Sequence, residues 1–184
     1  MAIIIMAAAM MASLAACKEK KAESTNIIRD DYVAPKPTGP KSSSVTPMSE
    51  EITWVEGRHY VVSITGKADE ALPMVQDANG QKYVDNSINI EISRADSTVF
   101  FDHTYTKEAF ANWLTEDYRK KAILASISYI GIDSERLQFV VSLNLPDAGD
   151  DEATDLLMLI DRMGEVSIKP FTYNDRDDLE VTEE

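Results

Sequence analysis

Cysteine, histidine and clustered carboxylates are the side chains best suited to chemistry, and this chain is sparing with the first two. Its 184 residues include one cysteine, Cys17, and two histidines, His59 and His103. A lone cysteine can make neither an intrachain disulfide nor a cysteine-based metal cage. The histidines lie too far apart for the H-E-x-x-H spacing that sets two imidazoles on one helix face, and a zinc site would have to recruit carboxylates that the spacing does not supply. Asp147, Asp150, Asp151 and Glu152 crowd around Gly149. Calcium takes roughly six to eight oxygen ligands, which makes this run a candidate metal site. Its spacing departs from D-x-[DN]-x-[DN]-G, and an acidic surface loop between two strands is the favoured reading over a metal site. No G-x-S-x-G occurs, so Ser63, Ser126, Ser128 and Ser142, all on strand-like runs, read as structural. The glycines stand singly and form no phosphate loop. Glu91 and Asp102 fall on the polar sides of their strands, and a carboxylate pair for glycoside cleavage needs a cleft that no sequence displays. No catalytic residue and no cofactor is expected from these patterns.

Cys17 acquires a different chemistry from what precedes it. Met1 to Ala16 carries no charged side chain and reads as an apolar stretch ending in small residues. It is shorter than the roughly 20 apolar residues that a spanning helix needs. Leu14-Ala15-Ala16-Cys17, followed by Lys18-Glu19-Lys20-Lys21, resembles the lipobox of bacterial lipoproteins. The resemblance implies diacylglyceryl transfer to the Cys17 sulfur, cleavage before Cys17, and acylation of the new amine. The leader departs from the usual pattern by opening Met-Ala-Ile, without Lys or Arg. Buried acyl chains contribute about 0.8 kcal/mol per CH₂, so several chains anchor firmly. The membrane, through lipid on Cys17, is therefore the expected partner. By the family's sorting habit, Lys18 in place of aspartate implies the outer membrane. The opening Met11-Ala12-Ser13-Leu14-Ala15-Ala16-Cys17-Lys18-Glu19-Lys20-Lys21 is similar to small uncharacterised lipoproteins of Bacteroidetes. So are Phe139 to Asp147 and Asp161-Arg162-Met163-Gly164-Glu165-Val166. That resemblance implies a location and carries over no catalytic residue.

Charge narrows the partners. The formal net charge is −14, which repels phosphate backbones and argues against nucleic acid. Residues 18–48 carry six basic and four acidic side chains, and the leader has none, so the acidity belongs to the rest of the chain. An acidic body on a slightly basic stalk is held off an anionic surface within a Debye length, about 8 Å at physiological salt.

Four regions follow: a signal peptide over 1–16, a lipidated cysteine and disordered tether over 17–49, one globular domain over 50–173, and an acidic tail over 174–184. Prolines 35, 37, 40 and 47 interrupt the tether. Asn26-Ile27-Ile28 and Tyr32-Val33 are apolar islands within it. The body is mostly period-two, the strand signal. Tyr60, Val62 and Ile64 share one side, as do Ile88, Ile90 and Ile92. Val99, Phe101, His103 and Tyr105 form a third set, and Phe139, Val141, Leu143 and Leu145 a fourth. Asn79-Gly80 and Arg162-Met163-Gly164-Glu165 mark hairpin turns. Thr106 to Lys121 breaks the pattern with Phe110, Trp113, Leu114 and Tyr118 at helical spacing. Thr106 is its expected N-cap, and Arg119, Lys120 and Lys121 suit its C-terminal dipole. Ala122 to Ile130 resumes a strand. The expected fold is α+β, mostly β: an antiparallel sheet or sandwich with one amphipathic helix packed on it. The expected function is a non-enzymatic, envelope-anchored binding module for a protein partner or ligand. The alternatives are an enzyme acting on an envelope polymer and a carrier of an apolar ligand between helix and sheet.

Overall fold

Alternation of apolar and polar side chains drives almost every element of the computed structural model, which describes residues 36–146 and 153–172. Cys17, the leader, the carboxylates Asp147, Asp150, Asp151 and Glu152, and the acidic tail lie outside the described residues.

Strands β2 (Met48–Trp54), β3 (Arg58–Ala68), β6 (Asn86–Arg94) and β7 (Val99–Tyr105) form one antiparallel sheet, in the order β2-β3-β6-β7. Strands β8 (Ile123–Asp133), β9 (Arg136–Asn144), β10 (Thr154–Ile160) and β11 (Val166–Pro170) form the second, in the order β11-β10-β9-β8. A small third sheet joins β1 (Lys41–Ser42), β5 (Lys82–Val84) and β4 (Val75–Gln76), with β1 parallel to β5. The fold is thus α+β and mostly β, as the alternation predicts.

The two large sheets share one core. Val62, Ile64, Ile88, Ile90 and Ile92 from the first sheet are fully buried, as are Leu137, Phe139, Val141, Leu143, Met158 and Ile160 from the second. Each such side chain contributes about 1.5–3 kcal/mol on leaving water. β10 also buries Leu157 and Leu159, on its other side. The β8–β9 hairpin turns on Ser134 and Glu135, both at positive φ (48° and 66°) between the paired Asp133 and Arg136. That backbone suits the right-handed twist of the strands it joins. Both predicted hairpins form: β4 pairs with β5 across Asn79-Gly80, and β10 with β11 across Met163-Gly164.

Three expectations need correction. The stretch 106–121 is not one helix. Residues Lys107–Trp113 make 3-10 turns, Leu114 and Thr115 are extended, and α1 (Glu116–Lys121) starts afresh. Thr115, not Thr106, is the cap, its hydroxyl accepting from Tyr118 N. The acidic first turn and basic last turn of α1 reinforce that start. Phe110 is fully buried and stacked on Tyr105, and Leu114 and Tyr118 pack on the core, while Trp113 stays 43% exposed.

Val99 does not share a side with Phe101. Ile92 pairs with Phe101 and Ser93 with Val99, so Phe100 is a bulged extra residue. The bulge presses Phe100 and Phe101 onto the core and leaves Val99 53% exposed.

The expected tether does not extend to residue 49. Lys41 and Ser42 pair with Tyr83 and Val84, and β2 begins at Met48. Val45 is buried against Gly66, where an added Cβ would stand 2.6 Å from the Val45 Cβ. The Gln81 side chain accepts from Thr38 N (2.8 Å) and donates to Gly39 O (2.9 Å). Proline blocks a continuous ladder, but two residues between prolines suffice to pair.

A buried polar junction ties the helical segment to the sheets. Lys107 Nζ stands 3.1 Å from Asp85 Oδ2 and donates to Ala122 O at 2.7 Å. Asp85 Oδ1 accepts from Asn86 N (2.8 Å) and Leu124 N (2.9 Å). Asn86 Nδ2 donates to Leu124 O and Ser43 Oγ.

Candidate functional site

The first sheet sends its isoleucines inward and its polar side chains outward, and strand register arranges the latter in rows. Ser49, Ser63, Glu91 and Asp102 form one row across four strands. Glu51, Val61, Ser93 and Val99 form the next toward one end. Thr53 and His59 pair beyond that, with the Thr53 hydroxyl 3.4 Å from His59 Nδ1. Toward the other end come Thr65, Asn89 and Thr104, then Lys67 and Ser87. Neighbouring strands lie about 4.8 Å apart, and successive rows about 7 Å. The outcome is a face of hydroxyls, one amide, the His59 imidazole, the Lys67 ammonium and three carboxylates, Glu51, Glu91 and Asp102. Val61 and Val99 are its aliphatic members.

Its carboxylates are sparsely answered. Ser93 Oγ donates to Glu91 (3.0 Å) and Asn89 Nδ2 to Asp102 (2.7 Å). Among the described residues, no ion pair involves Glu51, Glu91 or Asp102. Glu91 and Asp102, placed by sequence on the polar sides of separate strands, are brought directly opposite each other. Like charges in that position are unfavourable without a compensating partner. Among the described residues no three His, Cys, Asp or Glu side chains converge as metal ligands.

Two shallow depressions mark this face. One, of about 510 Å³, is lined by Glu51, His59, Glu91, Ser93, Arg94 and Ser97 among others. The other, of about 470 Å³, is lined by Thr65, Lys67, Asp69, Ser87, Asn89 and Thr104 among others. Beyond the first, Arg58, His59, Arg94 and Asp96 border a further hollow of about 410 Å³. Arg94 is held there by the Phe100 ring, 5.2 Å away, and by Thr98 Oγ1 and Val99 O. Phe100 meets Trp54 and Tyr60 edge-on, and Trp54 Nε1 donates to Glu135 O (2.9 Å) in the β8–β9 turn. The Thr98 hydroxyl and amide hold the Asp96 carboxyl below its usual pKa.

His59 thus belongs to this site. His103 is exposed, on the core side of edge strand β7, with its ring 4.6 Å from Tyr105. The Tyr105 phenol is pushed up to about 12 by burial. The two histidines do not meet in one site. Sequence reading missed Thr65, Lys67, Ser87, Asn89 and Thr104, because the only signal they carry is polar alternation, which any solvated strand also shows.

Comparison with curated proteins yields no match. The model of one family, a domain of unknown function (DUF4738), matches residues 27–168, from the expected tether into β11. The chain belongs to the DUF4738 family.

Proposed function

We propose that this protein is an envelope lipoprotein, anchored through lipid on Cys17, whose β-sandwich is a non-enzymatic binding module working through the outer face of its first sheet. The observation that carries the binding role is that face: four strands wide, polar, with three carboxylates that make no ion pair among the described residues. Supporting the anchor are the uncharged leader and Leu14-Ala15-Ala16-Cys17. The carrier alternative would place its ligand beside Phe110, which is fully buried and stacked on Tyr105. The enzyme alternative has one observation in its favour, the opposed Glu91 and Asp102, but they stand on an open sheet face.

Photocrosslinking tests the reading in cells. A benzoylphenylalanine at Asp102 should give a discrete crosslinked species that excess soluble body competes away, while one at Glu116, on exposed α1, should not. Equal, uncompeted labelling from both positions would refute it. Cys17→Ser should move the protein out of the membrane fraction; unchanged fractionation, with no lipid mass on the mature chain, would refute the anchor.

A further inference from the structure

We infer that the depression lined by Thr65, Lys67, Ser87, Asn89, Thr104 and Thr106 is a saccharide-binding site. This rests on the binding-module reading and narrows its ligand to a class. The volume, about 470 Å³, falls in the roughly 300–1,000 Å³ range of small-molecule sites. Such sites are lined mostly by hydrophobic and aromatic side chains. The lining here has no aromatic and no branched aliphatic side chain. Four hydroxyls, an amide, an ammonium and a carboxylate converge instead, around the bare backbone of Gly66. Hydroxyls and amides both donate and accept, which matches a ligand made of hydroxyl groups better than an anion, a cation or a lipid.

Ser87 supplies an independent observation. It is 6% exposed and lines the depression, yet its hydroxyl makes no side-chain hydrogen bond among the described residues. Among the described residues only the side-chain atoms Asn86 Oδ1 and Asn144 Oδ1 are buried without a partner, so the Ser87 hydroxyl is open rather than stranded, and a ligand hydroxyl in the depression can pair it. Thr65 and Thr106 likewise make no side-chain hydrogen bond among the described residues. Asn89 Nδ2 is already committed to Asp102 and to Thr104 Oγ1 (3.2 Å), which fixes the amide and turns its Oδ1 into a preset acceptor. The row Thr65–Asn89–Thr104 and the row Lys67–Ser87 are set by strand register, so the donors and acceptors are held by rigid strands. Lys67 and Asp69, opposite in charge, leave the depression without a strong preference for a charged ligand.

The test uses the soluble chain from residue 18 on an array of neutral and N-acetylated oligosaccharides, followed by calorimetry with whichever sugar is retained. Binding is expected for at least one neutral oligosaccharide, with little change between 50 and 500 mM salt. Thr65→Val with Ser87→Ala should weaken it about tenfold, as expected for two hydrogen bonds, while Ser49→Ala, on the same face outside the depression, should not. Circular dichroism and melting of each variant establish that it is folded. If the double variant does not fold, Asn89→Asp takes its place and should also weaken binding. An array with no retained sugar, or binding that survives the variants, overturns the proposal. If the sugar fails while the Asp102 crosslink persists, only the ligand class falls; if both fail, the binding face falls with it.

Discussion

Replacing Lys107 by methionine keeps an unbranched stem and removes the charge at the most buried ion pair described. The Lys107 and Asp85 side chains are only 9% and 4% exposed, with Nζ 3.1 Å from Oδ2. The substitution leaves Asp85 with two backbone donors and no counter-charge, and strips Ala122 O of its 2.7 Å partner. Removing one member of a buried pair costs about 3–5 kcal/mol, of which about 1–3 kcal/mol is the stranded carbonyl. At roughly 3–5 °C per kcal/mol for a domain of this size, Tm should fall by roughly 10–25 °C. Urea unfolding followed by circular dichroism measures the loss directly, and an unchanged m-value would show that the folded state remains as compact. Asp85→Asn with Lys107→Met removes both charges, keeps an oxygen for the two amides, and should cost at least about 2 kcal/mol less than the sum of the single changes. A loss under about 1 kcal/mol for Lys107→Met, or additive costs in the double variant, would refute this account of the junction.

Gly66→Ala places a Cβ 2.6 Å from that of Val45, and such overpacking costs about 1–3 kcal/mol. Hydrogen exchange at residues 41–48 should accelerate at least about tenfold; unchanged protection would mean that Val45 does not depend on the bare glycine. Alkaline pH acts through Tyr105, whose phenol keeps its proton to about 12 in the fold against an ordinary value of 10. Below pH 10 both folded and unfolded chains hold that proton. Between 10 and 12 only the unfolded chain releases it, so stability falls with rising pH, by about 1–3 kcal/mol in all. Urea unfolding at pH 9.5 and 11.5 should show a smaller loss for Tyr105→Phe than for the parent chain, and identical losses would sink the assignment.

Where one face of a strand is buried, apolar and polar residues must alternate, so Ile88, Ile90 and Ile92 or Phe139, Val141 and Leu143 were legible from order alone. Turns at Asn79-Gly80 and Gly164 were legible because glycine tolerates the positive φ found there, 84° and 81°. The 106–121 stretch misled because its apolar spacing suits 3-10 turns followed by a short helix as well as one long helix. Thr115 decides the break through a local hydrogen bond that competes with helix continuation. The bulge at Phe100 was invisible, since an extra residue in a strand leaves composition unchanged and flips every side chain before it.

By itself the order of residues determines the lipobox-like Leu14-Ala15-Ala16-Cys17, the acidity of the body, the strands and their inward faces, because each depends on local composition or on a period of two. Only the tertiary structure decided which strands are neighbours. The pairings of Ser63 with Glu91 and of Thr65 with Asn89 join the β2–β3 hairpin to the β6–β7 hairpin and set the candidate face. The same holds for Asp85 meeting Lys107, and for Val45 entering the space that Gly66 leaves. Such contacts rest on register and packing between segments distant along the chain, and no local pattern encodes them.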